Sequence, residues 1–273
     1  MPGLGLPEDL PAPQAIIHLG ARFAWQLDRE TAQRTNVAGS LAVAELARRH
    51  GLRLHTHLCE TVEEQEHCLE RFGRRPVEML DEWGWLGDDV WLAHGIHIDD
   101  DEMARLGSAG TGVAHCPSSN ARMAAGMCRV TDLRAAGCPV GLGVDGVASN
   151  EVGGLFGEMR QALYTARLRE MRPDALMPAD VVEMGTRGGA RCLGMDDVGS
   201  LEVGMRADLA VWPGEDLGDM VDALTALVLG PDRRVRHLFV EGRTVVADGE
   251  VAGTDLAAAH RDLAERSRLL WEA

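Results

Sequence analysis

Leu52-Arg53-Leu54-His55-Thr56-His57-Leu58-Cys59-Glu60 brings two imidazoles and a carboxylate close together in sequence. Leu52, Leu54 and Thr56 fall on one face, Arg53, His55 and His57 on the other, which is the period of a strand. A helical pattern follows from Thr61 to Phe72, so the stretch reads as strand, short loop, helix. A histidine leaving the end of a strand, with a glutamate three residues on, can place a metal ligand and a proton carrier beside one water. Metal-assisted hydrolysis needs that pair: the ion lowers the pKa of the water and the carboxylate moves its proton. Two half-buried histidines on a strand would give the same pattern, so the motif needs company.

The company lies downstream. Asp89–His94 (DVWLAH), Thr111–His115 (TGVAH) and Pro139–Asp145 (PVGLGVD) are short apolar runs, and each ends in a residue type that can serve as a ligand or proton carrier. Helical patterns follow them at Asp100–Leu106, Val130–Ala136 and Gly154–Arg169, with Pro76–Trp83 as a further short helix and Cys116–Asn120 as a loop. Four strand–helix units in succession predict an α/β fold with a parallel sheet covered by helices. His57, His94, His115 and Asp145 would then share the rim at the carboxyl ends of the strands. His97 falls in the loop beyond His94 and is expected outside the site or at the surface. His55 shares the face of His57 and is open to a supporting or a packing role.

Before this region the chain is irregular in pattern. Residues 1–14 hold four prolines, Ala15–Leu19 could be a strand, and Arg22–Arg34 a polar helix. From Asn36 an apolar helical face runs to Arg48-Arg49-His50-Gly51, cations followed by a glycine stop. Beyond residue 178 a helix over Ala179–Leu193 leads to a turn-rich segment ending in a strand at Trp212. Strands follow at Val235–Val240 and Arg243–Ala247, with turns at Glu241-Gly242 and Asp248-Gly249. An amphipathic helix capped by Thr254 closes the chain, its leucines spaced as a docking face. The expected organisation is an irregular segment over 1–40, a partial barrel over 41–195 and a small β domain with a C-terminal helix over 196–273.

Composition sets the outer limits. The 273 residues are 45% apolar and 26% charged, ordinary for a globular protein with a sizeable core. A formal charge of −16 without a basic tract argues against a nucleic-acid or anionic-membrane surface. No apolar run is long enough to span a bilayer, and the N-terminus lacks the order of a secretory signal. The six cysteines form no CxxC pair and read as reduced thiols of a cytoplasmic protein. Cys59 and Cys116 flank the motifs, but nothing marks either as a nucleophile.

The segments HTHLCE (55–60), AHGIHIDD (93–100), GVAHCPSSN (112–120), GLGVDGVASN (141–150) and GSLEVGMRADLAVW (199–212) resemble the amidohydrolase superfamily. They resemble the branch of the triazine chlorohydrolases and of the guanine- and adenosine-type deaminases, and the ending is most similar to its 8-oxoguanine deaminase subgroup. The resemblance implies a (β/α)8 barrel with one divalent metal, usually zinc, and hydrolytic deamination of a heterocyclic base. Carried over by position, His57 would be the metal ligand from the fifth strand and Glu60 the proton shuttle. His94 would orient the water and the substrate, and Asp145 would be both metal ligand and base. His115 and Asn120 would meet the polar edge of the substrate.

One part of the family pattern is missing. The first strand of the family carries a His-x-His pair that supplies two further ligands, and the pair here, His55–His57, is already assigned to the fifth strand. The chain therefore reads as the carboxyl-terminal half of the barrel plus the small β domain, from a gene fragment, a frameshift or a mistaken start. Such a half is expected to expose two raw strand edges, to be poorly soluble or self-associate, and to be inactive alone, either as part of an enzyme or as a non-catalytic fragment or scaffold.

Overall fold

The computed structural model describes residues 13–17, 28–214, 222–231 and 233–272. Two sheets organise them. The first is four-stranded and parallel, β1 (Leu54–Leu58), β2 (Val90–His94), β3 (Gly112–His115) and β4 (Val140–Leu142), adjacent in chain order. Its register pairs Leu54 with Val90, Leu58 with His94, and Val113 with Val140. The second is antiparallel, β5 (Leu209–Val211), β6 (His237–Val240), β7 (Arg243–Ala247) and β8 (Glu250–Val251), again in chain order.

The first helical segment is a single run made of α1 (Arg29–Ala32), a wide turn over Gln33–Val37 and α2 (Ala38–Arg49). The helix therefore starts well before Asn36, and residues 28–40 are not irregular as expected. Of the anticipated strand Ala15–Leu19, residues 15–17 are without regular structure, and the rest lies outside the described residues. The helix placed at Arg22–Arg34 is described only from residue 28.

Next come α3 (Val62–Phe72), α4 (Pro76–Glu82), α5 (Asp100–Ala109), α6 (Pro117–Arg122), α7 (Val130–Ala135) and α8 (Leu155–Glu170). The Thr61 hydroxyl accepts the Glu64 N–H to start α3. At α5, Asp99 and Glu102 satisfy each other's backbone N–H groups in a capping box. Leu54, Leu58, Val90, Leu92, Val113 and Val140 form the apolar side of the sheet, packed with Leu80, Met103, Leu106 and Leu133. Removing these side chains from water is the main stabilising term.

The two edges of the parallel sheet differ. On β1, Leu54 N–H and Leu58 C=O are used toward β2 and its loop. The main-chain groups of His55 and His57 therefore face outward, where no strand pairs among the described residues. A cavity of about 930 Å³ runs along this edge, walled by Ala44, Ala47, Leu54, Trp83, Trp85 and Trp91. On β4 the edge is covered by a continuous helical run of α9 (Pro178–Glu183), a wide turn over Met184–Gly188 and α10 (Gly189–Leu193). A Cβ on Gly188 would lie 2.2 Å from the Val140 carbonyl oxygen, so backbone meets backbone here. The expected pair of raw edges is thus one raw edge, because the glycine-rich turn lets a helix seal the other. Gly188→Ala should cost roughly 1–3 kcal/mol, the usual penalty of overpacking, measured as a lower urea midpoint. An unchanged midpoint would show that the helix can back away.

α11 (Ala223–Leu229) and α12 (Leu256–Glu272) complete the described chain. No residue of α12 is buried, and Leu256, Leu263 and Leu270 of its apolar face are exposed. Among the described residues no helix is long and apolar enough to cross a membrane.

Candidate metal and acid–base site

His57, Glu60, His94 and Asp145 come together at the carboxyl end of the parallel sheet. His57 Nδ1 lies 3.3 Å from His94 Nε2, and Asp145 Oδ2 lies 3.8 Å from that same nitrogen. The Glu60 carboxylate reaches both rings, Oε1 at 3.7 Å from His94 Nε2 and Oε2 at 3.8 Å from His57 Nδ1. These last contacts are too long for direct hydrogen bonds and suit a shared ion or water between the groups. One donor atom each from His57, Glu60 and His94 lie within 4.8 Å of one another. Imidazole nitrogens and carboxylate oxygens at such spacing fit a divalent ion of the zinc type. Asp145 stands beside this trio rather than inside it.

The backbone at the rim explains how short strands deliver these groups. Cys59, His94 and Asp145 have φ of 53°, 73° and 59°, the left-handed region that side chains other than glycine rarely occupy. Each such residue turns the chain sharply at or just beyond a strand end. Such strain is retained where the surroundings over-determine it, commonly at functional sites. β4 stops at Leu142, so Asp145 is not the strand's last residue as the sequence suggested. It sits on a left-handed turn beyond it.

His94 is fully buried, and its ring is oriented by Asn120, whose Oδ1 lies 2.9 Å from His94 Nδ1. The amide oxygen accepts the Nδ1 proton, which leaves the Nε2 lone pair aimed into the site. Asn120 was expected at the edge of the substrate; here it holds a histidine, from a short helix α6 rather than a loop. Ser118, Ser119 and Asn120 are turn-favouring residues that mask this helix, while Pro117 at its first turn is the signal for it.

Asp145 is held by hydroxyls. Ser119 Oγ donates to its Oδ2 at 2.6 Å and Ser149 Oγ at 3.1 Å. Partial burial works against the charge, but these bonds and the Gly146 N–H outweigh it and keep the carboxyl below its ordinary range. Ser119 and Ser149 were not singled out from the sequence. A signal was present: Ser-Asn pairs recur at 119–120 and 149–150, each shortly beyond a strand.

The remaining candidates separate. His55 Nδ1 donates to the Trp91 carbonyl at 3.0 Å, and its ring stacks on Trp91 at 3.5 Å between centroids. It lies beside His57 without joining the cluster. His97 Nε2 meets the Ala125 carbonyl at 2.8 Å, outside the site. The buried thiol of Cys116 is pushed up to about 12, and burial raises that of Cys59 further, so neither is a thiolate.

His115 is 2% exposed, and both its ring nitrogens lack a hydrogen-bond partner among the described residues. Burial, with a smaller contribution from His94, depresses its pKa to about 4. The unfolded chain would protonate near the ordinary value of 6.5, well before the folded one. Stability is therefore full above about 6.5 and drains as pH falls toward about 4, by roughly 3 kcal/mol at the end of the window. Urea unfolding of the metal-free chain at several pH values checks this against His115→Leu. An equally steep acid loss in that variant would assign the slope elsewhere.

Comparison with known proteins agrees with the geometry. The amidohydrolase family model matches residues 12–245. The 8-oxoguanine deaminase of Pseudomonas aeruginosa is 50% identical over 219 residues, 80% of this chain and 49% of that protein. An adenosine deaminase from Xanthomonas campestris with bound zinc superposes with a TM-score of 0.81 at 30% identity, over 85% of this chain and 54% of that one. An atrazine chlorohydrolase from Arthrobacter aurescens complexed with zinc gives 0.77 at 33% identity, over 84% and 51%. The chain thus spans about half the length of these relatives. Strand order, rim chemistry and sequence match converge: this chain belongs to the amidohydrolase family.

Proposed function

We propose that the chain carries the acid–base half of a metal-dependent deaminase acting on a purine-type base, 8-oxoguanine or guanine. The observation that carries this is the convergence of His57, Glu60, His94 and Asp145 on one rim. A divalent metal, zinc in the solved neighbours, would be held by His57 and Asp145 and would acidify the attacking water. Asp145 takes a proton from that water. His94, its tautomer set by Asn120, points a lone pair at the reacting atoms and orients them. Glu60 carries the water's second proton to the ring nitrogen and the proton held by Asp145 passes to the departing amine, so that the carbon keeps the oxygen as an oxo group and ammonia leaves. His115 and Asn120 remain candidates for the substrate's polar edge, with Asn120 acting through His94. The relative at 50% identity favours 8-oxoguanine, and the chlorohydrolase neighbour keeps halogenated triazines as a second substrate class.

A specific observation also favours inactivity of the chain by itself. The His57 side chain is 52% exposed beside the unpaired edge of β1. Bulk water at that edge weakens every electrostatic contribution that a closed site makes strong. The test compares residues 1–273 with the same chain joined to the N-terminal half of a family relative. Zinc per chain, ammonia release from 8-oxoguanine and guanine, and chloride release from atrazine are measured in both. Stoichiometric zinc with substantial turnover in the short chain would overturn the inactive-alone reading. Absence of any turnover in the joined chain would overturn the deaminase reading.

A further inference from the structure

We propose that Glu158, on α8, is a positioning residue for Asp145, acting as a buried carboxylate clamp between the start of α6 and the turn that follows Asp145. This rests on Asp145 being a metal ligand, as proposed above. Glu158 is 1% exposed. Its Oε2 accepts the Ser118 N–H at 3.1 Å, and its Oε1 accepts the Asn150 side-chain amide at 2.7 Å. Ser118 adjoins Ser119, whose hydroxyl donates to Asp145 Oδ2. Asn150 donates at the same time to the Val144 carbonyl at 2.9 Å, directly before Asp145, and its Oδ1 accepts the Gly153 N–H at 3.3 Å. One carboxylate thus ties the start of α6 to the far end of the left-handed turn that presents Asp145.

Packing alone does not explain a carboxylate at this place. Burying a carboxylate is unfavourable unless its oxygens find donors, and an apolar side chain of similar volume would fill the space without that requirement. What the carboxylate adds is two acceptors pointing in different directions from one helix, meeting donors on two separate segments, the first turn of α6 and the turn beyond Asp145. Loss of a direct hydrogen-bond partner of a metal ligand typically lowers metal affinity by about 10- to 100-fold. Glu158 acts one step further out, through Ser119 and the turn at Asp145, which sets the lower end of that range as its expected effect.

The experiment uses the full chain with Glu158→Gln, Asn150→Ala and Asp145→Asn. Glutamine keeps the shape, but it offers one acceptor where Glu158 offers two, so either the start of α6 or the Asn150 turn is released. Two quantities are read in each folded, metal-free protein: amide hydrogen exchange at Ser118 and across residues 145–150, and affinity for Co(II) from its visible absorption. Expected are faster exchange in both segments and Co(II) binding weakened about 10-fold or more in E158Q, with N150A alike and the helical circular dichroism retained. Wild-type exchange and wild-type Co(II) affinity in a folded E158Q would overturn the clamp. Should E158Q fail to fold, N150A decides by the same two readouts. If the wild type and D145N take up Co(II) equally, the metal reading of Asp145 fails, and the exchange data alone decide whether Glu158 holds the turn.

Discussion

Replacing Glu60 by glutamine leaves bound zinc unchanged and lowers turnover by roughly 10²–10⁴, the range for loss of a positioned proton carrier. The amide matches the carboxylate in shape but cannot cycle a proton between water and substrate. Glu60 is placed for that cycle: its main-chain N–H is fixed by Glu64 Oε2 at 3.0 Å, and its carboxylate stands off both histidines by more than a hydrogen-bond length. The measurement is ammonia release from 8-oxoguanine, with zinc per chain, in the chain joined to a family N-terminal half. Because Glu60 also belongs to the compact donor trio, the alternative result is informative. Loss of zinc in this variant would make Glu60 a ligand and would sink the shuttle role.

Asp145→Asn is expected to act on the metal itself. The Ser119 and Ser149 hydroxyls can still donate to an amide oxygen, so the turn survives while the negative charge is lost. Zinc affinity should fall by more than the ~100-fold typical of residues that only support a ligand. Competition with a metal-sensitive dye provides the measurement. A loss confined to the supporting range would make Asp145 a base and hydrogen-bond acceptor, leaving His57, Glu60 and His94 to hold the ion.

The site could be read from the sequence wherever its chemistry coincides with a strand end. His57, His94 and His115 lie in the last residues of short apolar runs, and the structure puts them at the carboxyl ends of β1, β2 and β3. Asp145 was read as the last residue of the run Pro139–Asp145, while its true position beyond β4 depends on a left-handed turn that no residue type announces. Ser119, Ser149 and Asn150 hid because serine and asparagine serve turns everywhere, and Glu158 hid because a helical glutamate is ordinarily solvated. In the fold, α6 was taken for a loop for the same reason. α11 and β8 had not been anticipated at all. Gly188 against Val140 is a contact between distant segments, invisible to any local pattern.

The adjacency of β1, β2, β3 and β4 in chain order has a kinetic meaning. Each strand needs only the segment made just before it, so no pairing waits for a distant part of the chain, and loop-closure entropy stays small at every step. His57, Glu60 and His94 can be brought together once two strands have met. Asp145 arrives last, with the docking of β4 and the helix that seals its edge. On a ribosome, where a chain emerges from its N-terminus, the rim would assemble in the order of its synthesis, with the Asp145 turn as the closing step.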